Sequence, residues 1–365
     1  MDMWERPVWQ VAAGDTDRNY AEVLVRWDVI AMGPGQYGPW PEKKETYRQM
    51  VGDRTFRVLR RFCEEIKKGD IIVLRLGTSQ VLAIGEVADD QLPWRDDFGD
   101  IDGWDLQHVR RVRWLWDGVS APEVFEPHTL KWGDTVQKMS ERAIDAVRKR
   151  LSTRLSDDAH RRKLQELPEL GRTEPVKTEE VAGYLFDKGM AYAFANALIG
   201  RMGELEYLAG WYRRRSEEKK RPVSEHETVA YLVLPLLRAL GWTEQKMAVE
   251  WDRIDIALFD GAERSDEQLS AVVEAKKLDA SCLTAFSQAK EYASGPARQG
   301  CRRLIVTDGL RYGVFLRRHG EEFPEKLHAY LNLLRMKEEY PILECRGAKE
   351  ALWAMSSEWR EAPRD

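Results

Sequence analysis

Two short apolar segments, Arg253 to Phe259 and Val272 to Lys276, read as strands, yet between them they carry Asp255, Glu274 and Lys276. Strand alternation puts Ile254, Ile256 and Leu258 on one face and Asp255 on the other, while Glu274 and Lys276, two apart, share a face of the next strand. Two acids and a base therefore converge in segments otherwise built for burial. An unpartnered buried charge is strongly unfavourable, so the group is either a structural ion pair, Glu274 or Asp255 with Lys276, or a site whose charges a metal or substrate compensates.

The flanking sequence narrows this choice. Ser224 is placed to cap a helix that Gly241 ends, and Val229, Leu232, Leu236 and Leu240 follow Glu225 at helical spacing. The Glu225 carboxylate thus sits at the end of the core-facing stripe, with Glu227 as the alternative. Downstream, Thr284 to Ser294 reads as a helix in which Gln288 and Tyr292, four apart, share a face. Arg303 to Gly309 and Tyr312 to Leu316 read as two strands around a turn.

The order is helix, three strands, helix, strand, strand. With Glu225, Asp255, Glu274-Ala275-Lys276 and Gln288-x-x-x-Tyr292, the stretch Ser224 to Leu316 resembles the PD-(D/E)XK nuclease superfamily, in particular the nuclease domain of type I restriction enzyme motor subunits. Pro235 to Trp242, Arg253-Ile254-Asp255 and Val273 to Leu278 carry the likeness; the superfamily's Pro-Asp is here Ile254-Asp255. No Walker A motif occurs in the 365 residues, so the chain is not expected to be a translocating motor by itself. The resemblance implies a restriction-endonuclease-like αβββαβ core. It implies Mg²⁺, or Mn²⁺ in its place, on Asp255 and Glu274, with the Ala275 carbonyl as a further donor. Lys276 would orient or deprotonate a water, Glu225 would hold a second metal or a water, and Gln288 and Tyr292 would bond near the phosphate or the lysine. Hard carboxylates suit that choice of ion.

The first third has another character. Nine of the fourteen tryptophans, Trp4, Trp9, Trp27, Trp40, Trp94, Trp104, Trp114, Trp116 and Trp132, precede residue 133. Strands are expected at Val8 to Ala12, Val23 to Ile30, Gly69 to Arg75, Val81 to Val87 and Val109 to Leu115, with a helix at about Phe56 to Lys68 before the hairpin. This pattern resembles the PUA-like group that includes EVE and YTH-type modules. The likeness implies a small barrel that holds a flipped base, often a modified one, against aromatic rings. Trp27, Trp94 and Trp104 are the stacking candidates and Asp102 the candidate reader of the base edge, although tryptophan in a small β-domain is commonly core.

These readings give an α/β (α+β) multidomain chain: a PUA-like domain over 1–135, a helical connector over 136–222, the nuclease domain over 223–320 and C-terminal helices over 321–365, the last drawn from Pro324 to Tyr340 and Ala348 to Trp359. At 43% hydrophobic and 33% charged residues the 365-residue chain has enough apolar sequence for two cores. Cys63, Cys282, Cys301 and Cys345 are scattered, which argues against a zinc site or a disulfide framework. With no apolar leader or membrane-length run, a cytoplasmic protein is expected. The net charge of −5 conceals basic runs at Arg110 to Arg113, Arg148 to Arg150, Arg161 to Lys163, Arg213 to Arg215 and Lys219 to Arg221. Each is either a phosphate track or a solvated face.

The resulting expectation is a DNA endonuclease of a prokaryotic restriction or antiphage system, with an N-terminal domain that senses a base. Cutting both strands calls for two active sites and so a homodimer. An RNA-directed or nucleotide-activated nuclease, and a catalytically inactive nucleic-acid binder, are the alternatives.

Overall fold

The computed structural model describes residues 3–15, 18–131, 133–155, 162–169, 175–219 and 222–361. They form two units, 1–169 and 170–365. Trp132, Arg161, Lys220 and Arg221, named above, and residues 170–174 lie outside the described residues.

The first unit runs β1 (Val8–Ala12), α1 (Ala21–Arg26), β2 (Val29–Met32), α2 (Trp40–Met50), α3 (Asp53–Arg60), β3 (Ile71–Leu76), β4 (Gln80–Val87), β5 (His108–Asp117), β6 (Glu123–Val124), β7 (Val136–Lys138) and α4 (Glu141–Leu151). Its sheet has the order β2-β5-β4-β3-β1-β7, with β6 on β4, and curls into a half-barrel. The expected hairpin forms: Ile71 pairs with Glu86 and Val73 with Ile84, around a turn in which Gly77 takes a φ of 62°. The helix before it runs through α3 into a π turn at Arg61–Glu65.

The strand expected at Val23 to Ile30 is instead α1 followed by β2. Tyr20, Ala21, Leu24 and Trp27 recur at helical spacing and all are buried. The Asn19 side chain accepts the Ala21 amide at 3.0 Å, and Asp28, with a φ of 51°, ends the turn. Helical burial outweighs the β-branched Val23 and Val25. The unit also extends past residue 135. Strand β7 pairs with β1, and Ala143, Val147 and Leu151 of α4 pack on Val8, Ile71 and Val73.

The second unit contains α5 (Thr178–Asp187), α6 (Tyr192–Lys219), α7 (Glu225–Thr228), α8 (Leu234–Ala239), β8 (Met247–Trp251), β9 (Ile254–Phe259), β10 (Leu269–Ala275), α9 (Phe286–Ala293), β11 (Arg303–Thr307), β12 (Arg311–Leu316), β13 (Ala329–Asn332), β14 (Glu339–Tyr340), β15 (Cys345–Arg346) and α10 (Ala348–Met355). The eight strands are ordered β14-β15-β13-β12-β11-β10-β9-β8. Strands β8, β9 and β10 are antiparallel, β10 and β11 parallel, and β11 and β12 antiparallel. One face packs on α5, α6, α8 and α10, the other on α9.

Two sequence expectations change here. The segment Pro324 to Tyr340 is not a helix but holds β13 and β14, which lengthen the same sheet; only Ala348–Met355 of the C-terminal pair is helical. Helices α5 and α6 share the apolar core of β9 and β10, so the expected connector is divided between the two units.

Ser224 and Gly241 bound their helix as the sequence predicts. Ser224 forms a reciprocal capping box with Glu227, and Gly241 takes a φ of 91°. Between α7 and α8 lies a π turn, Val229–Val233, just before Pro235. Proline has no amide to donate and its ring crowds the preceding turn, which a widened turn relieves. No described helix is long and apolar enough to cross a membrane.

A buried arginine fixes α10 to the sheet. Arg303, 1% exposed, donates to the carbonyls of Ala354 at 3.1 Å and Ser356 at 2.8 Å and to Ser270 Oγ at 2.6 Å, between the rings of Trp242 and Trp359. Removing it leaves helix-end carbonyls without donors in a dry site. Arg303→Ala is expected to destabilise the second unit by about 2–4 kcal/mol in urea unfolding followed by tryptophan fluorescence; a loss below about 1 kcal/mol contradicts this account.

Candidate active site

The antiparallel ladder of β9 and β10 ends with Val273 opposite Ile256, and the residues next in that register, Glu274 and Asp255, fall on one face. Opposed residues project to one face with Cβ atoms about 5 Å apart. That face is itself core: Ala257, Phe259 and Val272 pack there against Ala285 and Ala289. The expected partition of β9 holds for Ile256 and Leu258, which lie in the opposite core, but Ile254, beside the β8–β9 turn, packs with Ala257 and Phe259.

The Ala275 amide donates to Asp255 Oδ2 at 2.7 Å, locking one carboxylate to the neighbouring strand. Glu274 is 2% exposed, and its Oε2 has no hydrogen-bond partner. Burial, then the Asp255 charge, and more weakly Glu225, push its carboxyl up to about 8, against the pull of Lys276. Asp255 is raised as well, chiefly by burial and against its bond from the Ala275 amide. Lys276 Nζ lies 3.7 Å from Glu274 Oε1 and donates to Gln288 Oε1 at 3.1 Å; Gln288 Nε2 donates to the Tyr292 hydroxyl at 3.2 Å. The five side chains, Asp255, Glu274, Lys276, Gln288 and Tyr292, thus gather from one face and one helix.

Glu227 is engaged by Ser224, its Oε2 accepting the Ser224 amide at 3.1 Å, which leaves Glu225 as the helix carboxylate that bears on Glu274. Thr228 Oγ1 accepts the Leu278 amide at 3.1 Å, tying this helix to the segment after Lys276. Gly309 lets the β11–β12 turn approach: a Cβ there would lie 2.8 Å from Leu232 and 2.9 Å from Thr228, and its φ is 88°.

Among the described residues, no group of three or more His, Cys, Asp and Glu side chains is placed to hold a metal by itself. The site offers two opposed carboxylates with one orphaned oxygen. This donor set fits a hard divalent ion that keeps several waters, and Asp255 and Glu274 are the residues that would hold it.

Sequence reasoning missed the supports of this site. Asp252 and Arg253 both take left-handed φ values, 47° and 68°, in the β8–β9 turn that leads into Asp255, and Glu250 before them has 52°. Arg298 donates to Asp266 Oδ1 at 2.7 Å and also bonds Asp252 and the Tyr292 carbonyl, and Arg253 lies 5.3 Å over the Tyr292 ring. No periodicity marks these residues, because they bridge loops.

In the first unit the tryptophans divide. Trp27 is buried, 7% exposed, at the end of α1, and Trp94 donates its indole N–H to the Gly35 carbonyl at 2.8 Å. Asp102 is also buried, with a φ of 45°. None of these three lines the cavity of about 520 Å³ walled by Tyr20, Leu24, Met32, Gln80 and Trp104. Trp104 is the one stacking candidate at it, 40% exposed, with its ring 6.3 Å from Tyr20 and under the Arg18 guanidinium at 5.2 Å. One member of the first basic run is neither a phosphate contact nor on a solvated face. Arg110 is buried and donates to the Phe62 and Cys63 carbonyls at 2.7 Å each, closing the helical segment before β3.

Residues 9–153, fewer than half of the chain, match the model of a family described as a domain of unknown function, DUF8426. No curated protein matches the chain. The matched segment ends just beyond α4 and leaves out the carboxylate site.

The raised Glu274 carboxyl has a consequence for stability. Between the ordinary carboxylate range and about pH 8 the folded state holds a proton that the unfolded state has lost, so stability falls as pH rises through that window. Without added metal, Glu274→Gln is therefore expected to be more stable than the parent at pH 8 by on the order of 1–2 kcal/mol, and about equal near pH 5. Urea unfolding in EDTA at the two pH values measures the difference; an equal effect at both contradicts the assignment.

Proposed function

We propose that the chain is a metal-dependent DNA endonuclease of the PD-(D/E)XK type whose first unit is a PUA-like reader of a base, acting in restriction of foreign DNA. The observation that carries this reading is the opposition of Asp255 and Glu274 with Lys276 3.7 Å from the latter. The surrounding order of α7–α8, three antiparallel strands, α9 and a parallel strand supports it. So does the cavity beside Trp104 in the first unit, with a size suited to one flat heterocycle.

A divalent cation, when bound, would supply charge neutralisation at the scissile phosphate. The chain's own contribution is positional. Asp255 is fixed by the Ala275 amide on the face that carries Glu274, whose Oε2 has no hydrogen-bond partner. Lys276, steered by Gln288, brings an ammonium to the same edge, where it can donate to a phosphate oxygen or align a water. Tyr292 holds Gln288, and Arg253 holds Tyr292, so the lysine's direction is set two side chains away. In the first unit Trp104 would stack on the base, with Gln80 at the wall to read its edge.

Purified protein with Mg²⁺ is expected to cut one of unmodified, methylated, hydroxymethylated or glucosylated DNA in preference to the rest. Asp255→Ala, Glu274→Ala and Lys276→Ala should each lower that cleavage by at least about 10²-fold with circular dichroism unchanged. Cleavage of RNA but not DNA would move the reading to a ribonuclease, and undiminished cleavage by all three variants would sink it.

Trp104→Ala should weaken binding of the preferred DNA by about 5- to 100-fold while leaving Mg²⁺-dependent cutting at saturating DNA in place. Loss of cutting with unchanged affinity would remove the base-reading role.

A further inference from the structure

Helix α6 has 28 residues and spans about 42 Å. One side, with Leu198, Met202, Leu205, Ala209 and Tyr212, is buried. At about 100° per residue, Tyr207, Trp211, Arg214 and Arg215 fall together on the opposite side. Tyr207 is 73% and Trp211 41% exposed, and the Arg215 guanidinium lies 5.4 Å over the Trp211 ring. Arg214 and Arg215 have no ion-pair partner among the described residues. Of the acids on this side, Glu204 pairs with Arg201, and Glu218 lies one turn beyond Arg214.

The helix that carries the stripe is tied to the segment that follows Lys276. Arg213, between Tyr212 and the stripe, donates from Nε to Asp279 Oδ2 at 2.7 Å, three residues after Lys276. Asp279 in turn meets Arg311, which bonds the buried Asp308 at 2.6 Å. Tyr212, on the buried side, neighbours Glu227 and Tyr231 in the helix that carries Glu225.

Two solvent-facing rings one turn apart, followed by two unneutralised guanidinium groups, match a chain of flat bases joined by phosphates. Every base offers a π-face, and the arginines complement the phosphate charge. Stacking requires bases free of their pairing partners, which a duplex does not offer at its side. We propose that Tyr207, Trp211, Arg214 and Arg215 form a platform for single-stranded nucleic acid leading to Lys276. The binding stands on the stripe itself; the direction toward Lys276 rests on the nuclease reading.

The test is fluorescence anisotropy of the full chain in EDTA with a labelled twelve-nucleotide oligo-dT, its abasic counterpart and a duplex of equal length. The Tyr207→Ala/Trp211→Ala variant should lose roughly 5- to 100-fold in affinity for oligo-dT and nothing for the abasic strand, and Tyr207→Phe/Trp211→Phe should restore it. Arg214→Ala/Arg215→Ala should weaken both single strands and flatten the salt dependence. Unchanged oligo-dT affinity in the ring variant, or equal loss on the abasic strand, overturns the proposal. Because the assay needs no cleavage, its failure leaves the nuclease reading standing, and a parent that binds but cuts nothing fails the nuclease reading alone.

Discussion

Strand pairing and charge oppose each other at the centre of the second unit. The ladder that aligns Val273 with Ile256 brings Asp255 and Glu274 to one face, where Glu274 is buried from the water that would screen it and Asp255 is half-buried. Much of the local architecture answers this repulsion. The Ala275 amide neutralises part of one charge, Lys276 leans toward the other, and Glu274 keeps a proton well above the usual carboxylate range. The pair is thus held with at most part of its negative charge expressed.

The supports radiate outward from that pair. Gln288 and Tyr292 relay the position of Lys276 to α9, Arg298 ties α9 to the turn before Asp255, and Asp279 ties the segment after Lys276 to α6 and β12. Guanidinium groups serve at these junctions because one planar fork satisfies oxygens from several loops at once. Arg303 does the same beneath α10.

Sequence showed most of this core because its signals are local. The alternation in β9 and β10, the Ser224 capping box, Gly241 and the four-residue spacing of Gln288 and Tyr292 each depend on neighbours in the chain. What stayed hidden depends on distant partners. The segment Val23 to Ile30 contains β-branched residues that suit a strand, and only the burial of Leu24 and Trp27 makes its first part helical. Residues 324–340 have enough leucine and charge for a helix, yet the free edge of β12 takes Ala329–Asn332 as a strand. The tryptophans of the first unit are mostly its core: Trp4, Trp9, Trp27, Trp40 and Trp114 are each under 9% exposed, so composition alone pointed to more rings at a ligand than the cavity has.

Among the described residues, strand β8 ends the sheet and pairs only with β9. Such a strand offers a row of free amides and carbonyls on which another chain can polymerise. In β8 that row is interrupted at Glu250, whose left-handed backbone turns the peptide groups out of line, and the next two residues with positive φ turn the chain back on itself. The irregular backbone that delivers Asp255 therefore also shortens the regular edge that β8 offers. Smoothing that turn with residues better suited to a regular hairpin would lengthen the regular edge of β8.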